Sequence, residues 1–283
     1  MVTHTKPDID FSTFPESDGE PMAETYANAL QMVDLQYSLR GLLARQGRAR
    51  VAVGGNQFVY YNRHNGRENV SPDVYVVFDV ASIPPPKWQT WVEGKFPDIV
   101  FEITSPSTQD VDLSAEPRGK LRLYAAQGAR EYYIYDPQQE MDPVFRGYEL
   151  REGHVEPLPR LPSGGIMSPL LGAELRPMDM GATDWRPAGT WLRVINPMSG
   201  QPIPIADEEQ RDLQVARGEL TETREELTET REELTTARDH LTTEAQARRA
   251  AEDRAARAEA ALQALLAEQA GRQAEDMPAE DAE

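Results

Sequence analysis

The sequence predicts an α/β or α+β domain followed by a long helix that pairs as a coiled coil. Two observations predict this class. Segments with helical spacing alternate with short runs rich in β-branched and aromatic residues. Beyond residue 206, leucine recurs every seven residues, which is typical of a coiled coil. We expect a disordered leader at 1–20, the domain at 21–206, the heptad helix at 207–271 and a disordered acidic tail at 272–283.

Each element of the domain has its own signal. Apolar residues at spacings of three and four predict an amphipathic helix from Pro21 to about Gly47. Four apolar runs bounded by Gly, Asn or Pro predict strands at 51–53, 58–61, 74–80 and 99–103. A helix over 118–127 is expected to end at Gly128 and to precede a strand at 132–135. The segments 144–150 and 154–158 predict a hairpin around Gly153.

The heptad segment leaves two interpretations open. Its leucines are Leu213, Leu220, Leu227, Leu234 and Leu241. The residue three places after most of them is threonine or alanine, which buries little surface. One interpretation is a left-handed coiled coil with a partner helix. The other is a single charged helix held by Glu–Arg pairs, each worth ~0.2–0.5 kcal/mol.

Composition excludes several function classes. The chain has no cysteine, so it has no disulfide framework, thiolate metal site or catalytic thiol, and it suits a reducing cytoplasm. No apolar run is long enough to span a bilayer, and the N-terminus has no signal-peptide core. We therefore expect a soluble, cytoplasmic protein.

The charge of −19 is unevenly distributed. Residues 1–206 hold 26 acidic and 19 basic residues, and the remainder holds 22 acidic and 10 basic, so the two parts carry −7 and −12. This balance argues against loose adhesion to nucleic acid, and any contact must be local. The first part still has enough cations for a basic cleft. They include Arg45, Arg48, Arg50, Lys95, Arg118, Lys120, Arg122 and Arg130.

Two carboxylates and a lysine are the residues with the clearest chemical potential. Histidines at metal-site spacing, a Walker loop, a dinucleotide fingerprint and a Gly-x-Ser-x-Gly elbow are all missing from the sequence. Glu102 interrupts an apolar strand, where a carboxylate requires a metal or a basic partner. Asp73 opens a strand that we expect to lie near it. Lys120 begins the following helix and can reach towards Glu102.

Asp73, Glu102 and Lys120 are the minimum set for metal-dependent hydrolysis of a phosphodiester. Magnesium prefers oxygen ligands and keeps several waters, so two carboxylates and a strand carbonyl suffice. The ion polarises the phosphate and activates a water that a lysine can orient. An alternative stays open, in which Glu102 and Lys120 form a structural ion pair and Asp73 caps a turn. Candidate phosphate contacts are Arg118, Arg122 and Arg130.

Three stretches contain motifs that resemble those of a known family. They are VSPDVYVV at 70–77, EGKFPDIVFEITSPST at 93–108 and KLRLYAAQGAREYYIYDP at 120–137. Together they resemble the Uma-two family of restriction-endonuclease-type proteins, within the PD-(D/E)XK nuclease superfamily. The resemblance extends over roughly 21–206 and includes the heptad tail. It implies a restriction-endonuclease-like mixed sheet flanked by helices.

The resemblance also implies the roles of the site residues. Asp73 and Glu102 become ligands of Mg²⁺, for which Mn²⁺ can substitute. The lysine expected two residues after the glutamate is replaced by Thr104, and Lys120 is the migrated candidate. The stretch from Asp112 to Lys120 is a few residues longer than the corresponding Asp-Leu-Gly-x-Lys motif of the family. An acid from the first helix often completes such sites, and Glu24 is the candidate.

The favoured function is a metal-dependent endonuclease that hydrolyses DNA with a Mg²⁺-activated water. A homodimer or higher oligomer, formed through the coiled coil, would bring two sites to two strands. The alternative is a catalytically silent nuclease fold that presents its coiled coil to a protein partner.

Overall fold

The computed structural model describes residues 25–104, 108–114, 119–151 and 154–275. It divides into two compact units, the first ending at Gln210 and the second beginning at Arg211. The predicted leader at 1–20, Glu24, Arg118 and the last eight residues of the predicted acidic tail lie outside the described residues.

The first unit contains helices and strands in mixed order, as the sequence predicts. In chain order the elements are α1 (Tyr26–Arg45), β1 (Val51–Gly54), β2 (Val59–Tyr60), β3 (Asn69–Val70), β4 (Val74–Phe78), β5 (Trp88–Gln89), α2 (Thr90–Glu93), β6 (Ile99–Ile103), α3 (Gln109–Leu113), α4 (Lys120–Gln127), β7 (Glu131–Tyr135), β8 (Phe145–Arg151), β9 (His154–Pro157), β10 (Ile166–Ser168), β11 (Ala173–Met180), β12 (Gly189–Ile195) and α5 (Ala206–Glu275).

The central sheet has six strands in the order β1-β4-β6-β7-β8-β9. Strands β6 and β7 run parallel, and the other neighbours are antiparallel, so the sheet is mixed. The crossover between the two parallel strands contains α3 and α4. Parallel neighbours require such a crossover, and here it carries the predicted lysine helix across the sheet. The predicted hairpin is confirmed as β8 and β9.

Two hydrophobic clusters cover the two faces of this sheet. One lies against α1 and a three-stranded antiparallel sheet, β10-β11-β12. It includes Leu35, Leu39, Phe101, Tyr133, Leu175 and Val194. The other lies against α4 and a second small sheet, β3-β2-β5. It includes Tyr75, Trp88, Val100, Leu121, Tyr124 and Tyr132. Alternation along β6 therefore sends Val100 towards α4 and Phe101 towards α1.

Helix α4 ends at a capping glycine, whereas its N-terminus has no side-chain cap. Gly119 precedes it without a side-chain cap. Gly128 ends it with a φ of 94°, a left-handed conformation that glycine adopts without strain, and the amide of Ala129 donates to the carbonyl of Tyr124. This turn sends the chain directly into β7 and confirms the predicted helix end.

The second unit is helical throughout the part that the structure describes. It is the continuation of α5 from Arg211 to Glu275. The five heptad leucines are between 50% and 69% exposed. The predicted helix is thus confirmed, and its pairing as a coiled coil stays a prediction. Within the described ranges, no helix is long and apolar enough to cross a bilayer.

Candidate active site

Strand β6 holds Glu102 inside the first unit. All five residues of the strand are buried, and Glu102 is only 2% exposed. Glu102 is the single charged residue of the strand. It lies opposite Ile134 of β7, near the end of the central sheet where β6 finishes. An ionised carboxylate at this depth is costly without a cation beside it.

Lys120 is the cation beside Glu102. It is the first residue of α4, and its Nζ lies 3.0 Å from Oε2 of Glu102. The same Nζ lies 2.8 Å from Oδ1 of Asp112 in α3. The Asp112 side chain is buried, whereas that of Lys120 is 25% exposed. The ammonium group therefore bridges two buried carboxylates while part of its side chain reaches solvent.

Tyr124 fixes the other oxygen of Glu102. Its hydroxyl donates to Oε1 of Glu102 at 2.5 Å, and both side chains are buried. Tyr124 comes four residues after Lys120, so the two side chains lie on one face of α4. A second tyrosine, Tyr132, donates its hydroxyl to the backbone carbonyl of Asp112 at 3.1 Å. Both oxygens of Glu102 are thus oriented by residues of α4.

Asp73 lies at the same end of the sheet. Strands β4 and β6 are antiparallel with Val74 opposite Phe101, and continuing this register by one pair puts Asp73 opposite Glu102. Oδ2 of Asp73 accepts a hydrogen bond from the amide of Ile103 at 2.6 Å. This bond closes the end of the ladder, as a capping aspartate would. The predicted adjacency of the two strands is confirmed.

The electrostatics of the site are dominated by burial and by excess negative charge. Burial raises the pKa of Glu102, and Asp112 adds to the increase, while Lys120 and Tyr124 oppose it. Burial alone would lower the pKa of Lys120, but Glu102 and Asp112 outweigh it and raise that pKa. Burial also raises the pKa of Tyr124, with contributions from Glu102, Asp112 and Asp73. The lysine is therefore firmly protonated.

The donor set fits a hard divalent cation in its chemistry. Asp73, Glu102 and Asp112 carry three formal negative charges against one positive charge on Lys120, which leaves −2 at the site. Carboxylate oxygens are the ligands that magnesium prefers, and one or two carboxylates with several waters are enough for it. Across the part of the chain that the structure describes, no three His, Cys, Asp or Glu side chains form a metal-binding group. The two-carboxylate arrangement is therefore the one to test.

Of the other predicted site residues, the structure describes Arg122 and Arg130, and Arg130 lies away from Glu102. Arg122 is exposed on α4. Arg130 precedes β7, and its amide donates to the carbonyl of Asp98 at the opposite end of β6. Glu102 lies four positions after Asp98 along the extended chain, or about 13 Å away. Glu24 and Arg118 lie outside the described residues.

Comparison with protein families matches the chain to Uma2, described as "Putative restriction endonuclease", over residues 16–178. The match covers 163 of 283 residues, which is more than half. The chain belongs to the Uma2 family. This membership is consistent with the PD-(D/E)XK nuclease superfamily and with the mixed sheet found here. A search of curated proteins found no match.

The Uma2 match ends inside β11 and includes Lys120 and the residues around it, which we call the Lys120 cluster. These residues are Asp73, Glu102, Asp112 and Tyr124. Two residues of that cluster were not predicted as site residues. Asp112 belongs to the segment that departs from the family motif, and the five-residue helix that carries it is too short to show a helical period. In the sequence Tyr124 is one of several aromatic residues of its segment, but its spacing of four from Lys120 puts both on one helix face. The structure brings Asp73, Glu102 and Lys120 to one end of the sheet.

Proposed function

We propose that this Uma2 protein is a Mg²⁺-dependent endonuclease that hydrolyses DNA phosphodiester bonds. Family membership indicates a nuclease, with DNA as the corresponding substrate. The observation that carries the proposal for this chain is the contact between Lys120 and Glu102, 3.0 Å apart, beside Asp73 at one end of the central sheet. A carboxylate pair with an adjacent ammonium group can supply the metal ligands and the fixed cation for metal-dependent hydrolysis of a phosphodiester.

Each residue has a separate role in this proposal. Asp73 and Glu102 would hold Mg²⁺ or Mn²⁺, which when bound polarises the phosphate and activates a water. Lys120 orients the attacking water and offsets the negative charge that grows on the phosphate oxygens. Tyr124 keeps the Glu102 carboxylate in one orientation, and Asp112 holds the ammonium group of Lys120 in place. The last two are positioning residues.

Two further parts of the proposal concern contacts. Arg122 remains a candidate for binding the DNA backbone, because its side chain is exposed on the helix that carries Lys120. Two copies of the chain would associate through the heptad leucines of α5, since a stripe of five leucines that are at least half exposed would gain from burial. The same stripe favours the second candidate function, a silent nuclease fold that binds a protein partner.

Cleavage of a supercoiled plasmid tests the proposal. Purified protein with Mg²⁺ or Mn²⁺ is expected to produce nicked and linear DNA, and a chelator is expected to stop it. Glu102→Gln keeps the size of the side chain and removes its charge, so we expect cleavage to fall by at least about a hundredfold.

The matched control is Asp98→Asn. Asp98 begins the same strand segment but is paired with Lys95 at 2.7 Å and accepts from the amide of Phe78. We expect this variant to cleave like the wild type. Cleavage that survives Glu102→Gln unchanged, or that is absent from the wild type with either metal ion, would refute the nuclease proposal.

A further inference from the structure

A cleft with three arginines lies at the opposite end of the central sheet from Glu102. Its volume is about 640 Å³, within the range of small-ligand pockets. The residues that matter in its lining are Arg48, Arg50, Phe78, Asp79, Arg130 and Leu170. The proposed function uses none of them.

The topology of the sheet holds this cleft together. Arg50 precedes β1, and its carbonyl accepts from the amide of Asp79 just after β4, at 2.7 Å. Arg130 precedes β7, and its amide donates to the carbonyl of Asp98 before β6, at 2.8 Å. The ends of four neighbouring strands therefore converge on one rim. The two arginines are attached to rigid backbone, which limits the entropy lost when they hold a ligand.

The cleft is positively charged, whereas the chain as a whole is negatively charged. In the described ranges none of the three guanidinium groups forms an ion pair, and Asp79 is the one acid in the lining. Three positive charges and one negative charge leave +2, whereas the whole chain carries −19. Asp98 lies nearby, but Lys95 neutralises it at 2.7 Å. Nη2 of Arg50 donates to the carbonyl of Asp79 at 2.9 Å, which fixes the side chain at the rim without neutralising its charge. Arginines without an ion-pair partner in a concave site are suited to bind an anion, and their forked donors match phosphate oxygens.

An apolar wall adds a second feature. The guanidinium carbon of Arg48 lies 4.9 Å from the centre of the Phe78 ring, and Leu170 lines the cleft as well. The Phe78 ring therefore supports the guanidinium group of Arg48 at the edge of the cleft. A ligand that joins a phosphate to a planar or apolar group would use both features, whereas inorganic phosphate would use only the arginines.

We propose that this arginine cleft binds a phosphate group of a nucleotide, either free or within a nucleic-acid strand. The site is separate from the candidate active site, because the two lie at opposite ends of β6. The inference does not depend on the proposed hydrolysis, since neither Glu102 nor Lys120 takes part.

Binding measurements with three probes test this proposal. The probes are deoxyadenosine 5′-monophosphate, deoxyadenosine without phosphate, and a 20-base-pair DNA duplex. The buffer contains a chelator of divalent ions, so that the duplex is not cleaved. The variants are Arg50→Gln and Arg130→Gln, and the control is Arg67→Gln, an exposed arginine outside the cleft. All three side chains are exposed, so we expect the variants to fold, which circular dichroism checks.

We expect each cleft variant to weaken binding of a phosphate probe by about tenfold, and Arg67→Gln to leave it unchanged. If the mononucleotide binds and shows this loss, the source of the phosphate is a free nucleotide. If only the duplex binds and shows it, the source is the backbone of nucleic acid. The proposal is overturned if no phosphate probe loses affinity in the cleft variants beyond the control, or if deoxyadenosine binds as tightly as its monophosphate.

Discussion

Two clusters in the first unit have the same composition, a cation between two carboxylates. In one, Lys120 contacts Glu102 and Asp112 at 3.0 and 2.8 Å. In the other, Arg186 contacts Asp34 and Asp207 at 2.6 and 3.1 Å. Burial raises the pKa of Asp34 as it does that of Glu102. Neither the pairing nor the direction of the shift therefore distinguishes a catalytic site from a structural clamp.

The two clusters differ in access and in charge balance. The side chain of Arg186 is 1% exposed and its guanidinium lies 4.9 Å from the Trp191 ring, whereas that of Lys120 is 25% exposed. A second arginine, Arg193, also lowers the pKa of Asp34, while Asp73 is among the negative charges that raise the pKa of Tyr124, four residues after Lys120. In the Arg186 cluster the cation is buried, the exposed member is Asp207 at 28%, and the charge is better compensated. In the Lys120 cluster the cation itself reaches solvent, and surplus negative charge remains. That surplus can hold a divalent cation, and the bound cation would in turn attract a substrate phosphate.

Replacing Lys120 should have the largest effect, which is on the rate of DNA cleavage. Because replacing Arg186 should not change this rate, the comparison distinguishes the two clusters by activity. We expect Lys120→Met to lower the rate of DNA cleavage by about 10²–10³-fold, because the group that offsets charge on the phosphate is lost. The rate is measured per folded molecule by plasmid nicking. Arg186→Met is the control, and its folded fraction should keep the wild-type rate. A Lys120→Met protein that cleaves like the wild type would show that the lysine is structural.

Replacing Asp34 should lower the stability of the first unit without lowering the rate of DNA cleavage, which distinguishes the Arg186 cluster from the Lys120 cluster. Arg186 is almost fully buried, so Asp34→Ala leaves its charge under-compensated, and we expect the free energy of unfolding to fall by about 3 kcal/mol. Chemical denaturation measures this change. Cleavage per folded molecule should stay at the wild-type level. An unchanged unfolding midpoint would mean that the Arg186 cluster contributes little to stability.

Tyr124→Phe should have a smaller effect on both properties. The variant keeps the ring but leaves Oε1 of Glu102 without its buried donor, so we expect a loss of roughly 1–2 kcal/mol in stability. We also expect cleavage to fall by about tenfold, as for other residues that orient a ligand. Tyr148→Phe, at a partly buried ring on the same face of the sheet, is the control. Wild-type cleavage by Tyr124→Phe would remove the positioning role.

The smallest effect on the first unit is expected from changes in the heptads. Replacing Leu220, Leu227 and Leu234 with Gln should lower the mass measured by light scattering, because the seam between two helices loses its apolar residues. Thermal unfolding of the first unit should not change. The control is Glu222→Gln with Glu229→Gln, which alters exposed residues off the leucine stripe. An equal mass for wild type and leucine variant would contradict self-association through α5.

Much of the site follows from local patterns in the sequence. The runs at 74–78 and 99–103 are short, apolar and close in the chain, so their pairing and the proximity of Asp73 to Glu102 could be expected. The glycine stop of α4 and the hairpin follow from the same kind of signal. Lys120 was expected at the start of the following helix and within reach of Glu102, but the exact contact depends on how the crossover between the two strands folds.

The rest depends on tertiary structure that periodicity does not reveal. Helix α3 has five residues, too few to show a helical period, so Asp112 had no pattern to mark it. Arg130 is close to Arg122 in sequence, but the turn at Gly128 carries it to the other end of the sheet. Asp34 looked like an ordinary polar residue of α1, since its partner Arg186 lies 152 residues later.

Calorimetric titration with Mn²⁺ tests the central claim most directly, namely that the Lys120 cluster holds a divalent cation and the Arg186 cluster does not. The wild type and Asp34→Asn should bind one ion with equal affinity, and Glu102→Gln should lose this binding while its circular dichroism spectrum stays native. Absence of binding to the wild type, or equal binding by Glu102→Gln, would contradict the account.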